Sequence, residues 1–306
     1  MSKFRILCLD GGGIRGLYTA VLLDRILTAV PTFLDDIHLY AGTSTGGIIA
    51  LGLAAGRTPA EGVALYQQWG PRIFSRSLVW QLRTLWGLIG AKYDNQMLQE
   101  AVSSELGDLT MADLAQRGKH VLISSFDLDG GRRPTRCWGP KFFHNFPGTT
   151  GDPDKKLADV AMYTSAAPTY FPSYQGYVDG GVAANSPTMA ALAQTLDPGT
   201  GGQQLADIRL LSLGTGLSSR AIEGERHNWG LLQWASPAIP IMLEGSMDAQ
   251  NYESHRILGP EQYHRLNKAL PEPVELDDVA SMDRLLTYAH AVDIGPTVAW
   301  VEQFFL

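Results

Sequence analysis

The chain has little cysteine, two residues in 306. That excludes a disulfide scaffold and a four-thiolate zinc site. It has no excess of positive charge. Lys and Arg total 24 against 31 Asp and Glu, a formal charge of −7. A binder of DNA or RNA polymers that relies on a general basic field is therefore not expected. No stretch reaches the ~18–20 uncharged apolar residues of a spanning helix. The nearest, Ala41 to Gly56, is broken by Thr, Ser and several Gly. The opening MSKFRILCLDGGG carries too short an apolar run for a secretory leader, so a cytoplasmic protein with reduced thiols is expected. Cys8 and Cys137 both fall in strand-like runs and read as small buried hydrophobes. Internal repeats and low-complexity linkers are lacking as well.

What the chain does have is glycine, 33 residues, well above the typical ~7%. Much of it is ordered into motifs between short apolar runs. Lys3–Leu9, Ile37–Ala41, Lys119–Leu128, Pro134–Trp138 and Ile208–Leu213 read as strands, and another runs into Asp179. Helices are predicted over about Arg15–Thr28, Thr45–Ala55 and Lys156–Thr164. Another starts at the Thr58-Pro59-Ala60-Glu61 capping box, and Asp94 caps one that stops near Gly107. Strands alternating with helices predict an α/β fold, a mainly parallel sheet with helices on both faces. A single domain over 1–306 is expected, with the motifs in about 4–216 and a mainly helical completion in 217–306.

Asp10-Gly11-Gly12-Gly13-Ile14-Arg15-Gly16 follows a strand and opens a helix. Gly11, Gly13 and Gly16 satisfy the dinucleotide spacing G-x-G-x-x-G. That reading needs an acid at the end of the next strand, and Asp35 and Asp36 lie at its start. Consecutive glycines beside a helix N-terminus also point backbone N–H groups into a cavity, where they stabilise an oxyanion. Arg15 adds fixed positive charge. Gly42-Thr43-Ser44-Thr45-Gly46 is G-x-S-x-G at a strand-to-helix junction, the context of a nucleophile elbow. The bland alternative for Ser44 is a helix N-cap.

A serine nucleophile needs a proton acceptor. Seven histidines are present, and none sits in a loop that marks it as a triad base; His144 is the most suggestive. Asp179-Gly180-Gly181, after the short run Gly176-Tyr177-Val178, offers a carboxylate at a strand end. Asp129-Gly130-Gly131 is the rival, and there a hairpin turn explains the tripeptide.

In this order these motifs resemble the patatin-like phospholipase family. The first loop matches its D-G-G-G-x-R-G, the elbow its G-T-S-x-G, and Asp179-Gly180-Gly181 its D-G-G/A. Thr164–Pro172, Asn185-Ser186-Pro187 and Leu211–Gly216 are similar to further family features. The resemblance implies a three-layer α/β/α patatin-like fold and a lipid acyl hydrolase. Its Ser–Asp dyad would have Ser44 as nucleophile and Asp179 as general base. Gly11, Gly12, Gly13 and Arg15 would form the oxyanion loop, with Gly11 shaping the turn. Gly16, Gly42, Gly46, Gly180 and Gly181 would support the motifs. No cofactor or metal is implied. An ordinary Asp pKa near ~3.9 would leave Asp179 ionised at neutral pH.

The substrate implied is membrane phospholipid at the inner membrane surface, met by peripheral contact. Arg72, Arg76, Trp80, Arg83, Trp86 and Lys92, with apolar residues at helical spacing, make 71–92 a candidate lid. Compact bacterial relatives switched on by a cyclic oligonucleotide are also similar. They imply such an activator, for which Arg220, Arg226, His227, Trp229 and Trp234 are candidate contacts. The oligomeric state stays open. A non-lipid esterase or acyltransferase with the same dyad is the rival reading.

Overall fold

In the computed structural model, residues 3–75, 80, 90–130, 136–148, 151–218, 222, 228–234 and 237–306 are described. Seven strands among them form one sheet: β1 Phe4–Leu9, β2 Leu39–Thr43, β3 His120–Asp127, β4 Gly139–His144, β5 Tyr177–Asp179, β6 Ile208–Leu213 and β7 Tyr263–Leu266. Their order is β4-β3-β2-β1-β6-β7, with β5 also paired to β3. The pairs β1–β2, β1–β6, β2–β3 and β6–β7 are parallel, while β4 and β5 run antiparallel to β3.

Strands buried on both faces must be apolar on both. Alternate residues of β1 do this. Leu7 and Leu9 join one buried cluster, with helices Gly16–Ala29, Thr45–Ala54, Leu157–Ser165 and Met282–Ala291. Phe4, Ile6 and Cys8 join the other, with helices Thr188–Leu196 and Ala238–Leu258. The expected layering of helices on both faces of a mostly parallel sheet is therefore the fold.

Cys8 is fully buried, as expected for a small hydrophobe, but Cys137 is exposed. Residues 136–138 precede β4 rather than belonging to it, and Trp138 is 75% exposed. The Thr58 capping box is complete, Glu61 and Thr58 each bonding the other's backbone N–H. Asp94 accepts from Gln96 N–H, yet the cap position of helix Gln96–Leu106 is Asn95. The C-terminal third adds helices as expected, but it also supplies β7. Tyr-His-Arg-Leu has too little apolar alternation to read as a strand, and pairing with β6 makes it one. No helix among the described residues is long and apolar enough to cross a membrane.

Candidate active site

Sheet register brings the two motif residues together. Thr43, the last residue of β2, pairs with Ser124 of β3. The next position of β3, Ser125, pairs with Asp179. Since β4 holds the other edge of β3 there, β5 takes over the edge that β2 leaves. The residue after β2 is Ser44, which lies near enough to the Asp179 carboxylate to favour its ionised form.

Ser44 has φ 54° and ψ −125°, a conformation disfavoured for a residue with a Cβ. Two groups hold it there. Its N–H donates to Thr164 Oγ1 at 2.8 Å, and its carbonyl accepts from Ile48 N–H at 3.1 Å. Its hydroxyl caps no helical N–H, which disposes of the N-cap alternative. The tight elbow needs Gly42 and Gly46. A Cβ on Gly42 would strike the Gly46 backbone, and one on Gly46 the carbonyls of Leu9 and Asp10.

Asp179 is 6% exposed. Its Oδ1 accepts from Gly181 N–H at 2.7 Å. Burial pushes its pKa up to about 6, although Ser44 and the bond from Gly181 favour the carboxylate. The expectation of an ordinary Asp is thus corrected by desolvation. A base held near 6 is still mainly ionised at neutral pH and is stronger than an ordinary Asp. Gly180 packs on the Ser124 backbone, and Gly16 beneath Tyr66 and Thr45.

The glycine loop divides by what its N–H groups already do. Gly11 donates to Asn185 O at 3.0 Å, Ile14 to Leu276 O at 2.8 Å, and Arg15 to Gly12 O at 3.1 Å. Among the described residues, nothing accepts from the N–H of Gly12 or Gly13. Both line the same cavity as Ser44 and Asp179. The expected oxyanion donors are thereby narrowed to these two. The Arg15 side chain is buried and donates to Ser218 Oγ at 2.9 Å, tying the loop to the segment after β6.

The sequence offered no hint of three supports. Leu276 holds the loop from the C-terminal third. Ser218 receives Arg15. Arg265, on the unforeseen β7, reaches Asp10 Oδ2 at 2.6 Å just ahead of the glycines. Asp10 is fully buried, which raises its pKa, and the Arg265 guanidinium works against that rise. Only the register Ser212–Arg265 makes this pair, so no local signal announced it.

The rivals lie elsewhere. Asp129 is exposed and ion-paired with Arg136. The turn before it is made by Asp127 Oδ1, which accepts from the N–H groups of Asp129 and Gly130. His144 is buried against Phe146. Among the described residues, no histidine lines the cavity. The cavity itself, about 600 Å³, is walled mostly by aliphatic and aromatic side chains.

The family model described as patatin-like phospholipase matches residues 7–192, which include Ser44 and Asp179. The chain belongs to the patatin-like phospholipase family. It is 31% identical over 297 residues to a cGAMP-activated phospholipase of Pseudomonas aeruginosa, covering 93% of this chain and 84% of that one. A cGAMP-activated phospholipase of Vibrio cholerae is 32% identical over 318 residues, with 90% and 84% covered. Patatin-like protein 2 of Arabidopsis thaliana is 31% identical over 297 residues, with 81% and 70% covered. Membership of the patatin-like family implies a lipid ester hydrolase, and a long apolar cavity suits that activity. The candidate lid at 71–92 lies largely outside the described residues; Trp80 donates its indole N–H to Ala91 O. Of the candidate activator contacts, Arg220, Arg226 and His227 lie outside them too, and Trp229 meets Trp234 edge to face.

Proposed function

We propose that the chain is a phospholipase A-type acyl hydrolase that cleaves membrane phospholipid esters through a Ser44–Asp179 dyad. The observation that carries this is that Ser44, in a strained strand-to-helix elbow, and the buried Asp179 line one apolar cavity together. In the reaction Ser44 Oγ attacks the ester carbonyl carbon, and Asp179 takes the hydroxyl proton. The N–H groups of Gly12 and Gly13 receive the negative charge on the carbonyl oxygen. The ester C–O bond then breaks, and Asp179 returns the proton to the departing lysolipid oxygen. Water, deprotonated by Asp179, attacks the acyl-Ser44 ester. Fatty acid leaves, and the proton goes back to Ser44. Ser44 also opens helix Thr45–Ala54, whose N-terminal dipole favours developing negative charge.

Exposed apolar side chains around the mouth support action at a membrane. On helix Ala238–Leu258, Ile239 and Leu243 line the cavity, while Ile241 and Met242 between them are exposed. The net charge of −7 gives no general attraction to anionic lipid, so docking rests on such local contacts. We further infer activation by a cyclic oligonucleotide, supported by the names of the two bacterial relatives above. The test is fatty-acid release from phospholipid liposomes and from short soluble esters, each with and without cGAMP. Release from liposomes that exceeds soluble-ester turnover and rises with cGAMP is expected. Turnover of soluble esters alone would favour the non-lipid esterase, and indifference to cGAMP would remove the activator.

The raised pKa of Asp179 sets the pH profile. The base works only when ionised, so activity should climb with pH through about 6 and level off above it. At pH 5 it should be lower by about tenfold. A kcat/KM profile on a soluble ester measures this. A flat profile from pH 5 to 8 would contradict the assignment of Asp179 as base.

A further inference from the structure

The cavity that begins at Ser44 continues as a channel between three helices. Helix Thr45–Ala54 turns Ile48, Ile49, Gly52 and Leu53 to it, one stripe at helical spacing along its whole length. Helix Pro59–Ile73 contributes Gly62, Leu65, Tyr66 and Trp69 in the same way. Helix Gln96–Leu106 adds Leu98, Val102 and Glu105. Because Ser44 precedes the first of these helices, the channel leads away from the dyad along it. From Ser44 to Gly52 is eight residues, roughly 12 Å of helix.

Polar groups meet the channel at its far end. Arg57 lines it there, with its N–H folded back onto Gly52 O at 2.9 Å. Its guanidinium faces Glu105 at 3.4 Å and Glu61 at 3.8 Å. Two glycines in the walls lack the usual reasons for glycine. Gly52 and Gly62 lie in helix interiors with negative φ. A Cβ would meet nothing nearer than Arg57 side-chain atoms at 3.9 Å in the first case and Ala20 Cβ at 3.8 Å in the second. Glycine weakens a helix interior, and the backbone here does not demand it. What both absent side chains leave open is the lumen.

We propose that this channel gauges the acyl chain, with Gly52 and Gly62 keeping its distal part wide and the Arg57–Glu105 pair setting the length it takes. The proposal rests on the acyl-hydrolase reading above. A saturated chain of about ten carbons spans the stretch from Ser44 to Gly52. A longer chain brings its terminal methyl against the ion pair, where hydrocarbon strips water from charged groups. That pair is partly exposed and parts at small cost, so long chains are slowed rather than refused.

The test compares saturated soluble thioesters of four to sixteen carbons on wild type, Gly52→Leu, Gly62→Leu and Glu105→Leu. The readout is the kcat/KM ratio of the sixteen-carbon to the four-carbon substrate. Each glycine variant should lower this ratio at least about tenfold, the effect of blocking an apolar subsite. Glu105→Leu should raise it. A ratio that neither glycine variant moves would overturn the proposal. A parallel arm measures hexadecanoate binding to Ser44→Ala protein by calorimetry, with and without Gly52→Leu. Binding weakened at least about tenfold by Gly52→Leu is expected. No binding, or binding that Gly52→Leu leaves alone, overturns the channel. Should the wild type hydrolyse no ester, the acyl-hydrolase reading falls by itself, and the binding arm still decides the channel.

Discussion

Ser44→Ala and Asp179→Asn are each expected to lower kcat/KM for ester hydrolysis by at least about a thousandfold. Ser44 lines the same cavity as Gly12 and Gly13, whose N–H groups have no acceptor among the described residues. In the proposed mechanism Asp179, buried beside Ser44, is the carboxylate that receives the hydroxyl proton. Asp129→Asn should stay within about twofold of wild type, because Asp129 is exposed and paired with Arg136 away from the cavity. The two inactive variants should differ from unfolded protein in opposite ways. Ser44→Ala relieves a strained φ only in part and should melt near wild type. Asp179→Asn should melt higher at pH 8. Its folded-state pKa of about 6 lies above the ordinary carboxylate value, so the folded protein holds a proton that the unfolded chain releases. Stability of the wild type therefore falls as pH rises from about 4 through about 6, by a figure of order 3 kcal/mol. Asparagine removes that loss while keeping an oxygen for Gly181 N–H. Thermal melts at pH 5 and pH 8 measure it. Asp179→Asn melting below wild type at pH 8 would mean the carboxylate serves the fold instead.

Gly46→Ala should be among the most damaging single-methyl changes. Its new Cβ would run into the carbonyls of Leu9 and Asp10, backbone atoms at the root of the oxyanion loop. Neither can yield without moving β1 against helix Thr45–Ala54. The cost should be at least 1–3 kcal/mol of stability, with roughly a hundredfold loss of kcat/KM as Ser44 and the Gly12–Gly13 donors lose register. Gly52→Ala is the matched control for stability. It lies in the same helix, its Cβ would have 3.9 Å of clearance, and alanine should add up to ~1 kcal/mol there. Melting temperatures of the two variants, read beside soluble-ester kinetics, make the comparison. Equal stabilities for both would contradict the elbow geometry.

The proposed dyad was legible as two motifs and not as a pair. Ser44 announces itself because glycines on both sides of a serine at a strand end are rarely needed otherwise. Asp179 shares its tripeptide with Asp129, and local chemistry does not separate them. They are separated by sheet topology: β2 ends at Thr43 and β5 takes the next place on the same edge of β3. Long-range register of that kind leaves no trace in the spacing of residues. The same holds for Arg265, whose partner Asp10 lies 255 residues earlier, and for β7, which becomes a strand by pairing. Burial misled the reading twice. Cys137 looked like a strand residue and lies outside the sheet. Asp179 looked like an ordinary acid, and desolvation makes it a stronger base. The glycine excess was readable where a turn required it. At Gly52 and Gly62 its meaning emerges only once three helices enclose a channel.

The central claim is that Ser44 is the acyl-accepting nucleophile. A fluorophosphonate carrying a medium-length alkyl chain tests it directly, because it phosphonylates an activated serine and stays attached. Peptide mapping by mass spectrometry of the labelled protein should find the added mass on Ser44, with labelling lost in Ser44→Ala and slowed at least about a hundredfold in Asp179→Asn. Label on another serine, or Ser44 labelling at the wild-type rate without the Asp179 carboxylate, would contradict the account.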